Sequence, residues 1–130
     1  MMIALLLAGA MLAAAPANAF TLSAGGAQAY GTYDQMMSIP ERPVPPIAVS
    51  GTLAVNRPGQ CAVVQIAYNG PADGIEWRTL NSQCRPGRTG FRTQSQYLWG
   101  GAKPPLRLCV GPNQRVAEQG RNCDVHTPRR

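Results

Sequence analysis

From Ile47 onward apolar and polar residues alternate with a period of two, the signature of half-buried strands. IAVSGTLAV sets Val49, Leu53 and Val55 on one face, with Gly51 between them. CAVVQIAY, residues 61–68, is the most apolar run and reads as a central strand. IEWRTL opposes Ile75, Trp77 and Thr79 to Glu76, Arg78 and Leu80, and the Trp77 row is expected to face the core. FRTQSQYLW, 91–99, alternates likewise, with Phe91, Thr93, Ser95, Tyr97 and Trp99 expected inward. LRLCV directs Leu106, Leu108 and Val110 inward and Arg107 outward, and CDVHT closes the series. Turn chemistry separates these runs. Asn56-Arg57-Pro58-Gly59 combines a proline that presets φ with a glycine that accepts positive φ, and NGPADG and GGAKPP punctuate later junctions. GPNQRVAEQGRN reads as a loop, with a single helical turn as the alternative.

Six such strands without a convincing helix predict an all-β fold. The expectation is a small disulfide-stabilised β-sandwich or barrel of about six to eight short antiparallel strands, with little or no helix. Upstream, residues 20–46 contain Gly25-Gly26, Pro40, Pro43 and Pro45-Pro46 and lack helical periodicity. They are expected to form an extended Pro/Gly-rich approach to a β domain spanning 47–127, with at most a short strand near Thr21-Leu22. Residues 128–130 are expected to form a disordered tail.

The chain opens MMIALLLAGAMLAAAPANAF. An apolar run from Ile3 to Ala15, a break at Pro16 and the small-x-small triplet Ala17-Asn18-Ala19 predict a signal peptide over residues 1–19, cleaved after Ala19. The run is short of the roughly 20 residues that a membrane span needs. The protein is therefore expected to be secreted, without an integral membrane segment after cleavage. Cys61, Cys84, Cys109 and Cys123 all follow the signal, and an even count in a small exported chain reads as a disulfide framework. If the strands at 61–68 and 75–80 form a hairpin, Cys61 approaches Cys84. The same argument across the 111–122 loop joins Cys109 to Cys123. The spacings match neither a zinc pair nor a C-x-x-C redox motif, so no metal or cofactor is expected.

Charge sharpens the picture. The net charge is +6, and of 12 basic residues only Lys103 is a lysine. Arginine presents a planar fork suited to phosphate, sulfate and carboxylate. The densest stretch is WRTLNSQCRPGRTGFR, residues 77–92. Strand alternation assigns its aromatics to packing and leaves Arg85, Arg88 and Arg92 outside, flanked by Arg78 and Arg107. These five residues are the candidate contact surface for an acidic polymer or an acidic protein surface. Nucleic acid is one such polymer, but nothing in the sequence singles it out. The rival readings are a secreted serine-protease inhibitor presenting an arginine in the 84–90 loop, and an antimicrobial surface. The structural alternative is a set of charges that keeps a β edge soluble.

Catalytic chemistry finds little purchase. Asp124-Val125-His126 places an acid and the chain's one histidine on the same strand face, as an Asp–His dyad requires. No serine lies in a nucleophile-elbow context, and His126 stands four residues from the end of the chain, where fraying is expected. Asp73 and Glu76 flank one turn, but a turn-forming role and an ion pair with Arg78 account for them. A small secreted hydrolase is the weaker alternative to a non-enzymatic binding module, expected to be monomeric.

VSGTLAVNRPGQCAVVQ, the Trp77-to-Cys84 spacing and LRLCVG followed by Cys123 resemble a loosely defined group of small exported bacterial proteins of unknown function. The resemblance covers about the last two thirds of the chain. It implies export and a single β-sandwich with two local disulfides, and transfers no active site.

Overall fold

The computed structural model describes residues 18–129 and resolves the alternating pattern into eight strands. They are β1 (Ala19–Ala24), β2 (Ala27–Gln35), β3 (Ile47–Val55), β4 (Cys61–Asn69), β5 (Ile75–Gln83), β6 (Gly87–Ser95), β7 (Leu106–Gly111) and β8 (Cys123–His126). One short helix, α1 (Gln114–Glu118), lies between β7 and β8. The fold is all-β: two four-stranded antiparallel sheets, in the order β1-β2-β3-β6 and β5-β4-β7-β8. The chain changes sheet after β3, after β5 and again after β6. No helix of the described residues is long and apolar enough to cross a membrane.

The core lies between the sheets. Leu22, Ile47, Leu53, Ile66, Leu106 and Leu108 are among its fully buried side chains. Each contributes roughly 1.5–3 kcal/mol by leaving water. β4 is buried over seven consecutive residues because β5 and β7 flank it and α1 covers part of its outer face. There Ala117 packs on Val63 and Cys109 in a second, smaller cluster. The expected disulfides are both formed, Cys61–Cys84 and Cys109–Cys123. The first ties the start of β4 to the residue beyond β5; the second clamps paired positions of β7 and β8.

Open sides of the sandwich are sealed by side chains that satisfy strand-edge backbone groups, as unpaired edges require. On one side Asp124 Oδ2 accepts from the Ser23 backbone N–H at 3.0 Å, joining β8 to β1. On the other, Asn81 donates to the Gly90 carbonyl at 2.6 Å, and Arg78 donates to Thr93 Oγ1 at 3.0 Å. β5 and β6 are joined there across the two sheets.

Several expectations are corrected. Residues 20–46 are not an extended approach: their first half forms a β1–β2 hairpin in full register with β3. Phe20 and Leu22 alternate with exposed Thr21 and Ser23, a period that the nearby glycines obscure. Tyr33 is buried, and its hydroxyl donates to the Pro104 carbonyl at 2.7 Å. Burial raises its phenol pKa above the ordinary 10, with Tyr97 adding to the shift. The fourth strand from Ile47 begins at Gly87 and ends at Ser95, earlier than the 91–99 expected, so Trp99 lies beyond it and is 67% exposed. The 111–122 connection contains a capped helical turn, with Asn113 Oδ1 accepting from the Val116 N–H at 2.9 Å. The predicted signal peptide falls almost wholly on residues outside those described.

The largest correction concerns Trp77. Register pairs it with Ala67 and Arg78 with Ile66, so the Trp77 row faces away from the sandwich and the Arg78 row faces toward it. Leu80 belongs to the Arg78 row and packs on the core; a bulge between Val64 and Gln65 leaves it without a partner on β4 and sets Asn81 opposite Val64. Alternation was legible in the sequence, but its sense was not. β5 is an edge strand, where neither row is deeply buried, and hydrophobicity alone cannot orient it.

Candidate interaction face

Strand polarity gathers the β1–β2, β3–β4, β5–β6 and β7–β8 connections at one end of the sandwich. Arg57 lies there against Gly26, and Arg85 occupies the turn between β5 and β6. Arg88 and Arg92 follow on β6 itself. Because Arg88 pairs with Ala54 and Arg92 with Ser50, both belong to the strand's outward row. All three of Arg85, Arg88 and Arg92 are exposed. Arg88 stands inside the β6 ladder, so only Arg85 remains in a turn, and the expected 84–90 loop is shorter than the sequence suggested.

The other two predicted residues are elsewhere. Arg78 is committed to the β5–β6 seam through Thr93. Arg107 lies on the outer face of the opposite sheet, its guanidinium 4.2 Å from the centre of the Trp77 ring. It donates to Gln65 Oε1 at 2.7 Å and to the Glu118 carbonyl at 3.3 Å. Gln65 in turn donates to Thr79, whose hydroxyl donates to the Glu118 carboxylate. Burial lowers the Arg107 pKa, but its hydrogen bonds and the ring beneath it hold the charge in place. Its part is to anchor α1 to the sheet. The five arginines therefore divide into three locations, and Arg85, Arg88 and Arg92 alone share one edge.

These three border a feature that arginine density does not reveal. The outer face of sheet β1-β2-β3-β6 carries cross-strand rows of short polar residues. One row runs Thr21, Tyr30, Thr52, Gly90; the next runs Thr32, Ser50, Arg92. Thr32 Oγ1 and Ser50 Oγ lie 3.4 Å apart. Gly90 interrupts the side-chain surface between Arg88 and Arg92 and leaves a shallow depression bounded by Ser50, Thr52 and Arg92. Three carboxylates are turned to other tasks: Glu76 accepts from the Tyr68 hydroxyl at 2.6 Å, Glu118 from Thr79 and Asp124 from the β1 backbone. Glu76 thus pairs with Tyr68 instead of the expected Arg78. Asp34 is on the same face as the arginines, but on β2, two strands or about 10 Å from β6.

A second concavity lies at the other end, lined by Asn18, Tyr33, Lys103, His126, Thr127 and Arg129 among others. His126 is not frayed: it pairs with Leu106, and its ring lies 5.6 Å from that of Phe20 and 6.0 Å from that of Tyr33. The Asp124 carboxylate is engaged by the Ser23 N–H, so Asp124 and His126, which share a strand face, have separate partners. Burial lowers the His126 pKa below the ordinary 6.5. The folded state accordingly favours neutral imidazole. The unfolded chain gains its proton first as pH falls below about 6.5, and stability is lost from there down to the lower folded pKa. In urea unfolding at pH 7.5 and pH 5.5, His126→Gln is expected to lose less stability across the interval than the wild type. An equal loss in both proteins would assign the acid sensitivity to other groups.

No metal-binding cluster of three or more His, Cys, Asp or Glu side chains occurs among the described residues. Comparison with known proteins finds no family model, no curated protein and no solved structure that matches the chain.

Proposed function

We propose that the protein is an exported, non-catalytic binding module that engages an anionic partner at or outside the cell envelope through Arg85, Arg88 and Arg92. The observation that carries this reading is the alignment of Arg88 and Arg92 on the open face of one edge strand, with Arg85 in the adjoining turn. A strand rises about 3.3 Å per residue, so Arg88 and Arg92 stand roughly 13 Å apart on one side of β6. Such a row meets successive charges of an extended polyanion and costs little to organise, because the sheet holds the backbone already. Two formed disulfides support an oxidising destination.

The test is a titration of the oxidised protein with dextran sulfate at several salt concentrations, beside a variant carrying Arg85→Ser, Arg88→Ser and Arg92→Ser. Wild-type affinity is expected to fall steeply with salt, and the triple variant to bind roughly tenfold or more weakly with a shallower slope. Equal binding by both proteins would remove these arginines from any contact surface.

A further inference from the structure

We infer that the partner of this face is an acidic polysaccharide, recognised jointly by the β6 arginines and by the hydroxyl floor beside them. The inference rests on the anion-binding reading above and names the class of ligand. A solvated sheet face is ordinarily polar, so polarity alone carries nothing. The kind of polarity here is informative. Across β1, β2 and β3 five of the eleven outward positions are short hydroxyl residues, Thr21, Ser23, Thr32, Ser50 and Thr52, and Asp34 is the one charged residue among the eleven. Short hydroxyl side chains leave the face flat and lose little rotamer freedom when a ligand settles on it.

Hydroxyls both donate and accept hydrogen bonds, as does the Tyr30 phenol in the same row. A polyol ligand offers both functions in return. A phosphodiester backbone offers acceptors alone, and single-stranded nucleic acid is ordinarily held by stacking its bases on aromatic platforms. This face has one aromatic residue, Tyr30. The depression at Gly90 completes the arrangement. A Cβ there would meet nothing closer than the Gly51 carbonyl oxygen at 3.8 Å, so packing does not explain the glycine. A sugar ring seated there would lie over Gly90, with the Thr52 and Ser50 hydroxyls beside it. Arg92 at its border meets a carboxylate or sulfate with a planar fork. Charge complementarity selects an acidic over a neutral polymer.

Two variants separate this site from a general basic edge. Gly90→Leu fills the depression, and Thr52→Val removes one hydroxyl at nearly constant shape; neither changes the net charge. The probes are polygalacturonate, dextran sulfate, neutral dextran and a single-stranded oligothymidylate, with folding of each variant checked by its thermal unfolding. Polygalacturonate or dextran sulfate is expected to bind in preference to oligothymidylate. That binding should weaken about tenfold in Gly90→Leu and measurably in Thr52→Val, while the weak binding of oligothymidylate is unchanged. If the acidic polysaccharides depend on the arginines but neither variant affects them, or if oligothymidylate binds better, the saccharide assignment falls and the anion-binding reading stands. If none of the three polyanions binds, both fall together.

Discussion

Replacing both cysteine pairs by alanine is expected to remove about 6 kcal/mol of stability, and replacing either pair alone about 3 kcal/mol. The sequence separations are 23 and 14 residues, and loops of those lengths restrict the unfolded chain by about 3 kcal/mol each in the chain-entropy model. A domain of this size has roughly 5–15 kcal/mol in total, so a double loss of about 6 kcal/mol consumes much or all of it. Position adds a second reason. Cys84 fixes the chain where it leaves β5 and crosses to the opposite sheet, and Cys123 fixes the return of the chain from α1 into β8. Urea unfolding of the two single-bridge variants, followed by tryptophan fluorescence, measures each term. A cost below about 1 kcal/mol for either bridge would mean that the strand ladders alone impose the local geometry.

Phe91→Ala is expected to cost about 3–5 kcal/mol, among the largest effects of any single side chain here. Phe91 is 6% exposed, and its ring centre lies 6.2 Å from that of Phe20. It occupies space that Gly51 leaves vacant on the neighbouring strand. A Cβ at Gly51 would stand 2.8 Å from Phe91 Cζ and 2.3 Å from the Tyr30 carbonyl oxygen. The ring can shift, but the backbone of β2 is held by its ladder. Gly51→Ala is therefore expected to cost at least about 1–3 kcal/mol through overpacking, and to remain costly when Phe91→Ala is already present. Denaturant titration of the two single variants and the double variant decides the point. A Gly51→Ala cost that vanishes in the Phe91→Ala background would show that the ring, and not the Tyr30 carbonyl, is the obstacle.

The same strand illustrates how a site can be half legible. Arg85, Arg88 and Arg92 stand out in the chain by density, and the parity of Phe91 places Arg92 on the outward row, whereas Arg88, expected in a loop, joins that row because β6 begins at Gly87. The hydroxyl floor does not stand out, because Ser50 and Thr52 are separated in sequence from Tyr30 and Thr32, and from Gly90. They read as the polar half of an ordinary alternation. Antiparallel pairing of β2, β3 and β6 makes them one surface. Arg78 and Arg107 show the converse: equally conspicuous in sequence, they are occupied by Thr93 and by Trp77 once the sheets assemble.

Residues acting locally determined much of this protein. Period-two alternation, turn formers and an even set of cysteines established an all-β domain, most of its strands after Ile47 and both disulfides, since each depends on neighbours within one hairpin or one connection. Tertiary structure decided what depends on partners distant along the chain. It recruited β1 and β2 into the first sheet through register with β3, and turned Trp77 outward through its pairing with Ala67. It also held His126 between Phe20 and Tyr33, more than 90 residues away in sequence. Strand register is set by which face finds a buried surface to cover, and that surface exists only after the two sheets have met.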